Sequence, residues 1–226
     1  MRKWLAVLLG LTMMFSVAGC SEDKKDDDRE EVNAEEKIAE ANKAYAEFLV
    51  EFMDTDEYNR MYDPRFSTVY IDEDKIPELV IHEGTAHASG VKIYTYYDEE
   101  VADVSGQYGY GGYGEVYYKE KENVIVSWYC GSGGCSLNEY AIEDGQVTQI
   151  NSFQNATFDP DAQYFGACEF YLNGEYVDED EYVSTLEDRG YTYDSEYGPT
   201  TEGCDLASYE EAFDFTEENI KAVFET

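Results

Sequence analysis

Val124-Ile125-Val126-Ser127-Trp128-Tyr129-Cys130-Gly131-Ser132-Gly133-Gly134-Cys135 decides the fold. Its first half is apolar or aromatic at both alternate positions, as a central strand is. A glycine-rich link then carries the chain from one cysteine to the next, and strand composition resumes over 137–142. A strand, a short link and a second strand make antiparallel neighbours, because a parallel return needs a crossover of a dozen residues or more. The same grammar repeats downstream. Asp144-Gly145 links 137–142 to 147–153, and Asn173-Gly174 links 168–172 to 175–177. Both dipeptides suit tight hairpin turns. Upstream, 66–71, 79–82, 91–97, 101–105 and 115–119 have strand composition, rich in β-branched and aromatic residues. The block therefore predicts an antiparallel β-meander rather than βαβ units.

Helical periodicity flanks that block. Over 35–53 the apolar residues Ile38, Ala41, Tyr45, Phe48, Leu49, Phe52 and Met53 form one stripe at 3.6-residue spacing. Glu35, Glu36 and Glu40 sit near its start, where the helix dipole favours acids. After the strands, Asp178 and Glu181 match a capping box for a helix to about residue 188, ended by Gly190. Ser208 and Glu211 repeat the pattern, and Thr216 opens a closing segment over 217–224. Strands in one block with helices at both ends predict an α+β fold: an antiparallel meander flanked by an N-terminal amphipathic helix and short C-terminal helices.

Charge narrows the function. The 226 residues carry 51 Asp+Glu against 15 Lys+Arg, a formal net charge of −36. Phosphate neutralisation needs a basic face, so nucleic acid is excluded as a partner. Docking on anionic lipid by charge alone is excluded as well.

The N-terminus supplies another route to a membrane. Met1-Arg2-Lys3 is a basic start, and Trp4 to Val17 is apolar but short of the roughly twenty residues a membrane-spanning helix needs. The segment closes on Val17-Ala18-Gly19-Cys20. Small residues directly before a cysteine resemble the bacterial lipobox. The resemblance implies a lipoprotein signal peptide over 1–19, a lipidated Cys20 as the mature N-terminus, and a place on the extracytoplasmic face of the bacterial cell membrane. Several acyl chains on one residue anchor stably where a single chain does not. Residues 20–34 then read as the lipidated cysteine with a charged, disordered tether, and 35–226 as a single acidic extracellular domain.

Four further cysteines, Cys130, Cys135, Cys168 and Cys204, allow three pairings. A hairpin brings Cys130 and Cys135 within disulfide reach, which leaves Cys168 with Cys204. Zinc is the lesser reading. Cys-x4-Cys is wide for a ligand pair, and His82 and His87 are distant in sequence.

Two segments carry binding chemistry. Asp72, Asp74 and Glu78 lie in Ile71-Asp-Glu-Asp-Lys-Ile-Pro-Glu-Leu79. This resembles the Asp-x-Asp-x-Asp-Gly-x-Pro-Glu-Leu loop of integrin-propeller-type calcium repeats, and similar strings in uncharacterised surface lipoproteins of Gram-positive gut bacteria. The resemblance implies oxygen ligands for Ca²⁺. Tyr70 replaces the motif's first Asp and Lys75 its Gly. No cofactor is therefore expected, and Ca²⁺ binding at the three carboxylates is expected to be weak or absent. The second segment, 105–114, alternates Gly with Tyr108, Tyr110 and Tyr113. Tyrosines on a pliable backbone stack on sugars or contact proteins, and with Trp128 they form the expected ligand face. No catalytic residues are assigned. The functional expectation is a membrane-anchored extracytoplasmic lipoprotein acting as a non-enzymatic binding or interaction module with a protein or glycan partner. The alternatives are a cell-wall or glycan-active hydrolase and a Ca²⁺-dependent structural accessory protein.

Overall fold

The computed structural model describes residues 23–84, 89–105, 114–131, 134–156, 168–194, 198–201, 204–206 and 208–225. The leader, Cys20, His87, Tyr108, Tyr110 and Tyr113 lie outside the described residues. The fold is α+β, and its layers alternate helix, sheet, sheet and helix.

The first layer is α1 (Asp23–Phe52) beside α3 (Glu217–Phe224). The helix α1 starts inside the segment expected to be a tether. Charged residues propagate a helix readily once its packed turns have formed, and acids at its start suit the dipole. Ala41, Tyr45, Leu49 and Phe52 are buried on one face, with Phe48 and Met53 beside them, as the stripe predicts. They pack with Ile220 and Phe224 of α3 onto Phe66, Leu79, Ile81 and Tyr94. Those four belong to the second layer, a five-stranded sheet. It comprises β1 (Arg65–Val69), β2 (Glu78–His82), β3 (Val91–Tyr97) and β4 (Glu100–Asp103), closed by β14 (Phe213–Asp214) beside β1.

The other face of this sheet carries Val80 and Ile93, and with Val69, Ile71 and Val104 they meet Val116, Ile125, Tyr140 and Ile142. These last four come from the third layer. It contains β5 (Gly114–Lys119), β6 (Val124–Gly131), β7 (Gly134–Glu143), β8 (Gln146–Ala156), β9 (Glu169–Leu172) and β10 (Glu175–Val177) in unbroken sequence order, with β13 (Asp205–Leu206) beside β5. Each ladder is antiparallel, so the meander is present as expected. The fourth layer is α2 (Glu179–Asp188) with the hairpin β11 (Thr192–Asp194) and β12 (Gly198–Thr200). Tyr182, Leu186 and Tyr191 pack there on Val126, Leu137, Phe153 and Phe170.

Capping follows the sequence at two of three places. The Asp178 carboxylate accepts from Glu181 N–H at 2.9 Å, and the Thr216 hydroxyl from Asn219 N–H at 3.1 Å. No helix follows Ser208. The chain turns there and joins β1 as β14, with the Phe213 ring against Phe66 at 5.9 Å. A sheet edge and an aromatic contact five residues on outweigh one capping box. Among the described residues no helix is long and apolar enough to cross a membrane.

Candidate binding face

The seven-stranded sheet is wider than the sheet stacked on it. The first sheet covers the Ile125–Tyr140 end, and among the described residues no element covers the other end of that same face. Cross-strand partners share a face, so the ladder registers define what is exposed. Tyr129 pairs with Ser136, Ser136 with Gln154, Gln154 with Tyr171, and Tyr171 with Tyr176. This row crosses five strands, β6 to β10. Tyr129 is 40% and Tyr176 69% exposed, and Gln154 is exposed between them. A second row, Ser127–Asn138–Ser152, runs beside it on the way to the covered end, with both serines buried and Asn138 half-buried.

Local geometry holds the rings in place. The phenol end of Tyr129 rests against Gly131, where any side chain would collide with it. At the far end the Tyr171 and Tyr176 rings meet edge to face at 6.0 Å, and the Tyr171 hydroxyl donates to Glu169 at 2.6 Å. Gln154 donates to Ser152 at 3.2 Å, and Gln149 to Asn138 at 3.3 Å. An open hollow of about 500 Å³ adjoins the second row, lined by Gln149, Ile150, Ser152, Asn173 and Gly174. A β-bulge makes this possible. Glu139 pairs with Asn151 and Tyr140 with Gln149, so Ile150 is the extra residue. It switches the alternation of β8, placing Val147 and Gln149, then Ser152 and Gln154, on one side. Neither row nor the hollow contains a charged side chain, although the protein carries −36. Glu169 stands at the rim.

Trp128, expected in a ligand set with Tyr108, Tyr110 and Tyr113, does not belong to this face, and those three tyrosines lie outside the described residues. It is the neighbour of Tyr129 on β6 and so points to the opposite side, where it packs in the α2 layer. Its indole N–H donates to the Pro199 carbonyl at 2.7 Å. Alternation along a strand separates the two rings.

The cysteines divide. Cys130 and Cys135 are joined as expected, being cross-strand partners with Cα atoms 4.1 Å apart. No disulfide joins Cys168 to Cys204, contrary to expectation. Cys168 leads into β9 and Cys204 into β13, five strand steps apart in the sheet order. At about 4.8 Å per step this exceeds disulfide reach.

The acidic loop is a compact turn. The Asp72 carboxylate accepts from Asp74 N–H at 2.9 Å, and the Asp74 carboxylate from Ile76 N–H at 2.7 Å. Glu78 is 1% exposed; it accepts from Ile71 N–H at 2.8 Å and from the Thr95 hydroxyl at 3.4 Å. Burial pushes Glu78 up to about 8, opposed by the Ile71 hydrogen bond and reinforced by Asp72 and Asp74. Asp74 sits at the solvent edge, yet partial burial raises it to about 6, with Ile76 N–H opposing and Asp72 adding. Among the described residues no group of three His, Cys, Asp or Glu is placed to hold a metal ion. His82 is buried on β2, and burial, helped by the Arg65 charge, lowers it to about 4.

Sequence reasoning missed one cluster. The Glu139 side chain is fully buried, yet it receives Tyr191 O–H at 2.6 Å, Asn151 N–H at 2.6 Å and Arg189 at 2.8 and 3.0 Å. Lys119 lies 3.8 Å away and donates to the Arg189 carbonyl at 2.7 Å. Both carboxylate oxygens are engaged, so the cluster ties the end of α2 to the sheet. Only the pairing of an acid inside an apolar strand, Leu137-Asn-Glu-Tyr-Ala-Ile142, signals it in sequence.

No family model, curated protein or solved structure matches this chain.

Proposed function

We propose that the protein is a lipid-anchored extracytoplasmic binding module, without catalytic activity, whose ligand rests on the uncovered face of the seven-stranded sheet. The observation that carries this reading is the Tyr129–Ser136–Gln154–Tyr171–Tyr176 row: exposed rings and neutral hydrogen-bonding groups on a rigid sheet in an otherwise acidic protein. A rigid platform loses little entropy on binding. Lack of charge in the row selects an uncharged ligand surface, since an acidic surround repels anions and a cation would have better sites elsewhere. The lipobox resemblance at Cys20 supports the anchor.

The Ca²⁺-dependent alternative finds less support. Glu78 is 1% exposed and both its carboxylate oxygens already accept within the protein, from Ile71 N–H and the Thr95 hydroxyl, which leaves the acidic loop short of a third accessible oxygen ligand for Ca²⁺. The test is retention of cell-wall and host fractions on membranes displaying the protein. A Tyr129→Ala/Tyr176→Ala double variant is expected to lose the retained partner, while the Tyr108/Tyr110/Tyr113→Ser triple variant tests the neighbouring segment. Unchanged retention in the Tyr129/Tyr176 variant sinks the face. The anchor is tested by incorporation of labelled palmitate, expected to vanish in Cys20→Ala.

A further inference from the structure

The row has a direction, and direction restricts the ligand. Tyr129 to Tyr176 runs across the strands, not along one of them. Neighbouring strands are about 4.8 Å apart. Tyr129 and Tyr171 are therefore separated by about 14 Å, and Tyr129 and Tyr176 by about 19 Å, if the sheet is taken as flat. A pyranose residue in an extended chain advances by about one strand spacing. The chemistry of the row alternates to suit such a chain. A ring stands at one end, a Ser hydroxyl and a Gln amide occupy the middle, and a pair of rings stands at the other end. Sugar rings have apolar C–H faces that stack on tyrosine, and equatorial hydroxyls that exchange hydrogen bonds with Ser, Asn and Gln.

We infer that this face binds a neutral, linear oligosaccharide lying across β6 to β10, one sugar residue per strand. The inference rests on the binding-module reading above and adds the ligand class to it. Tyr129 stacks on the sugar at one end, and Tyr171 and Tyr176 hold the other. Ser136 and Gln154 meet the hydroxyls between them, and the hollow beside Asn138 and Ser152 accepts a branching or projecting substituent. The ligand is uncharged because neither row offers a cation to an acidic glycan, while Glu169 stands at the rim against one.

Competing ligand chemistries differ here in what they need. A peptide adding to the sheet would use the outer edge of β10, whereas the rings and polar groups of this row project from the face of the sheet. A cationic partner would bind in a salt-dependent way, whereas stacking and neutral hydrogen bonds are insensitive to screening.

The test is calorimetry on the purified full-length chain, in a detergent without a sugar headgroup. The probes are β-1,4-linked glucose, β-1,4-linked mannose and α-1,4-linked glucose oligomers from dimers to hexamers, with a galacturonate hexamer as the acidic control. At least one neutral series is expected to bind with affinity that rises from dimer to about pentamer and then levels, matching the span of the row. Affinity is expected to be the same at low and physiological salt. Tyr129→Ala and Tyr176→Ala each lower it about three- to tenfold. Both side chains are exposed, so truncation leaves the core packing intact. Gly131→Ala keeps every ring of the row but drives Tyr129 from its seat, and it is expected to weaken binding in the same direction.

Absence of binding in every neutral series, equal or tighter binding of the galacturonate hexamer, or affinity untouched by all three variants overturns the inference. If the neutral oligomers fail while the Tyr129/Tyr176 double variant still loses a partner in the retention assay, the glycan is refuted and the binding face stands. If both fail, the binding-module reading falls with it.

Discussion

Replacing Glu78 by Gln should change how stability depends on pH, and the structure sets the window. Burial raises the Glu78 carboxyl from 4.5 to about 8. Between those values the folded chain holds a proton that the unfolded chain releases. Stability therefore falls as pH rises, by about 1.4 kcal/mol per unit of pH. Below pH 6.5 other groups blur the signal. Asp74, raised from 3.8 to about 6, also makes stability fall with pH. His82, lowered from 6.5 to about 4, makes it rise with pH, because the folded chain takes up the imidazolium proton less readily than the unfolded chain. Neither has finished at 6.5, where an unfolded His82 is half protonated, so the comparison with the variant, which keeps both groups, isolates Glu78. From pH 6.5 to 8 the wild type should lose about 2 kcal/mol through Glu78. Glutamine keeps the geometry: its carbonyl accepts from Ile71 N–H, now 2.8 Å from a Glu78 oxygen, and its amide donates to the Thr95 hydroxyl, now at 3.4 Å. The variant should therefore lose none of that stability. The assay is urea unfolding of both proteins at steps across this range. The difference between the two curves cancels every titration they share. Parallel stability curves from pH 6.5 to 8 would refute the reasoning, since they would mean that Glu78 ionises alike in folded and unfolded chains.

Two other perturbations read the packing. Glu139→Ala strips the carboxylate from Arg189, Lys119 and the Tyr191 hydroxyl, and urea unfolding should show a loss of about 3–5 kcal/mol, as for other buried ion pairs broken from one side; a loss below about 1 kcal/mol would mean the cluster is not closed to water. Cys130→Ser/Cys135→Ser removes the cross-link of the β6–β7 hairpin and should cost about 2 kcal/mol by loop entropy, checked by unfolding against the oxidised wild type, with the reduced wild type expected to match the variant.

What was legible in the sequence is what depends on neighbours along the chain. The stripe from Ile38 to Met53 marked the buried face of α1, because helical period alone puts those residues on one side. Asp144-Gly145 and Asn173-Gly174 placed the turns: Asp144 and Asn173 adopt φ of 51°, and the glycines that follow φ of 69° and 82°, the left-handed region these dipeptides favour. The Cys130–Cys135 bridge followed from the same hairpin. Asp178 and Thr216 capped helices because a cap needs only a hydroxyl or carboxylate three residues ahead of an N–H.

The rest was settled between segments distant in sequence. Two sheets stack where the sequence shows one run of strands, because the Gly/Tyr segment between β4 and β5 reads equally well as a link within one sheet. The stack is narrower than the seven-stranded sheet, and this alone leaves Tyr129, Tyr171 and Tyr176 in the open while Tyr140 is buried. The extra residue at Ile150 brings Gln154 to the same side, and a one-residue slip reverses every side chain that follows it. Trp128 and Tyr129 are equally aromatic as letters. One packs against the core and the other is exposed, and the difference is which side of β6 the other layers cover. Cys168 and Cys204 were an even pair left over by counting, and sheet order put the strands they lead into five steps apart. Local conformation is a property of the chain. Exposure is a property of stacking, register and edge order, which come into being only when remote segments bury their apolar faces against one another.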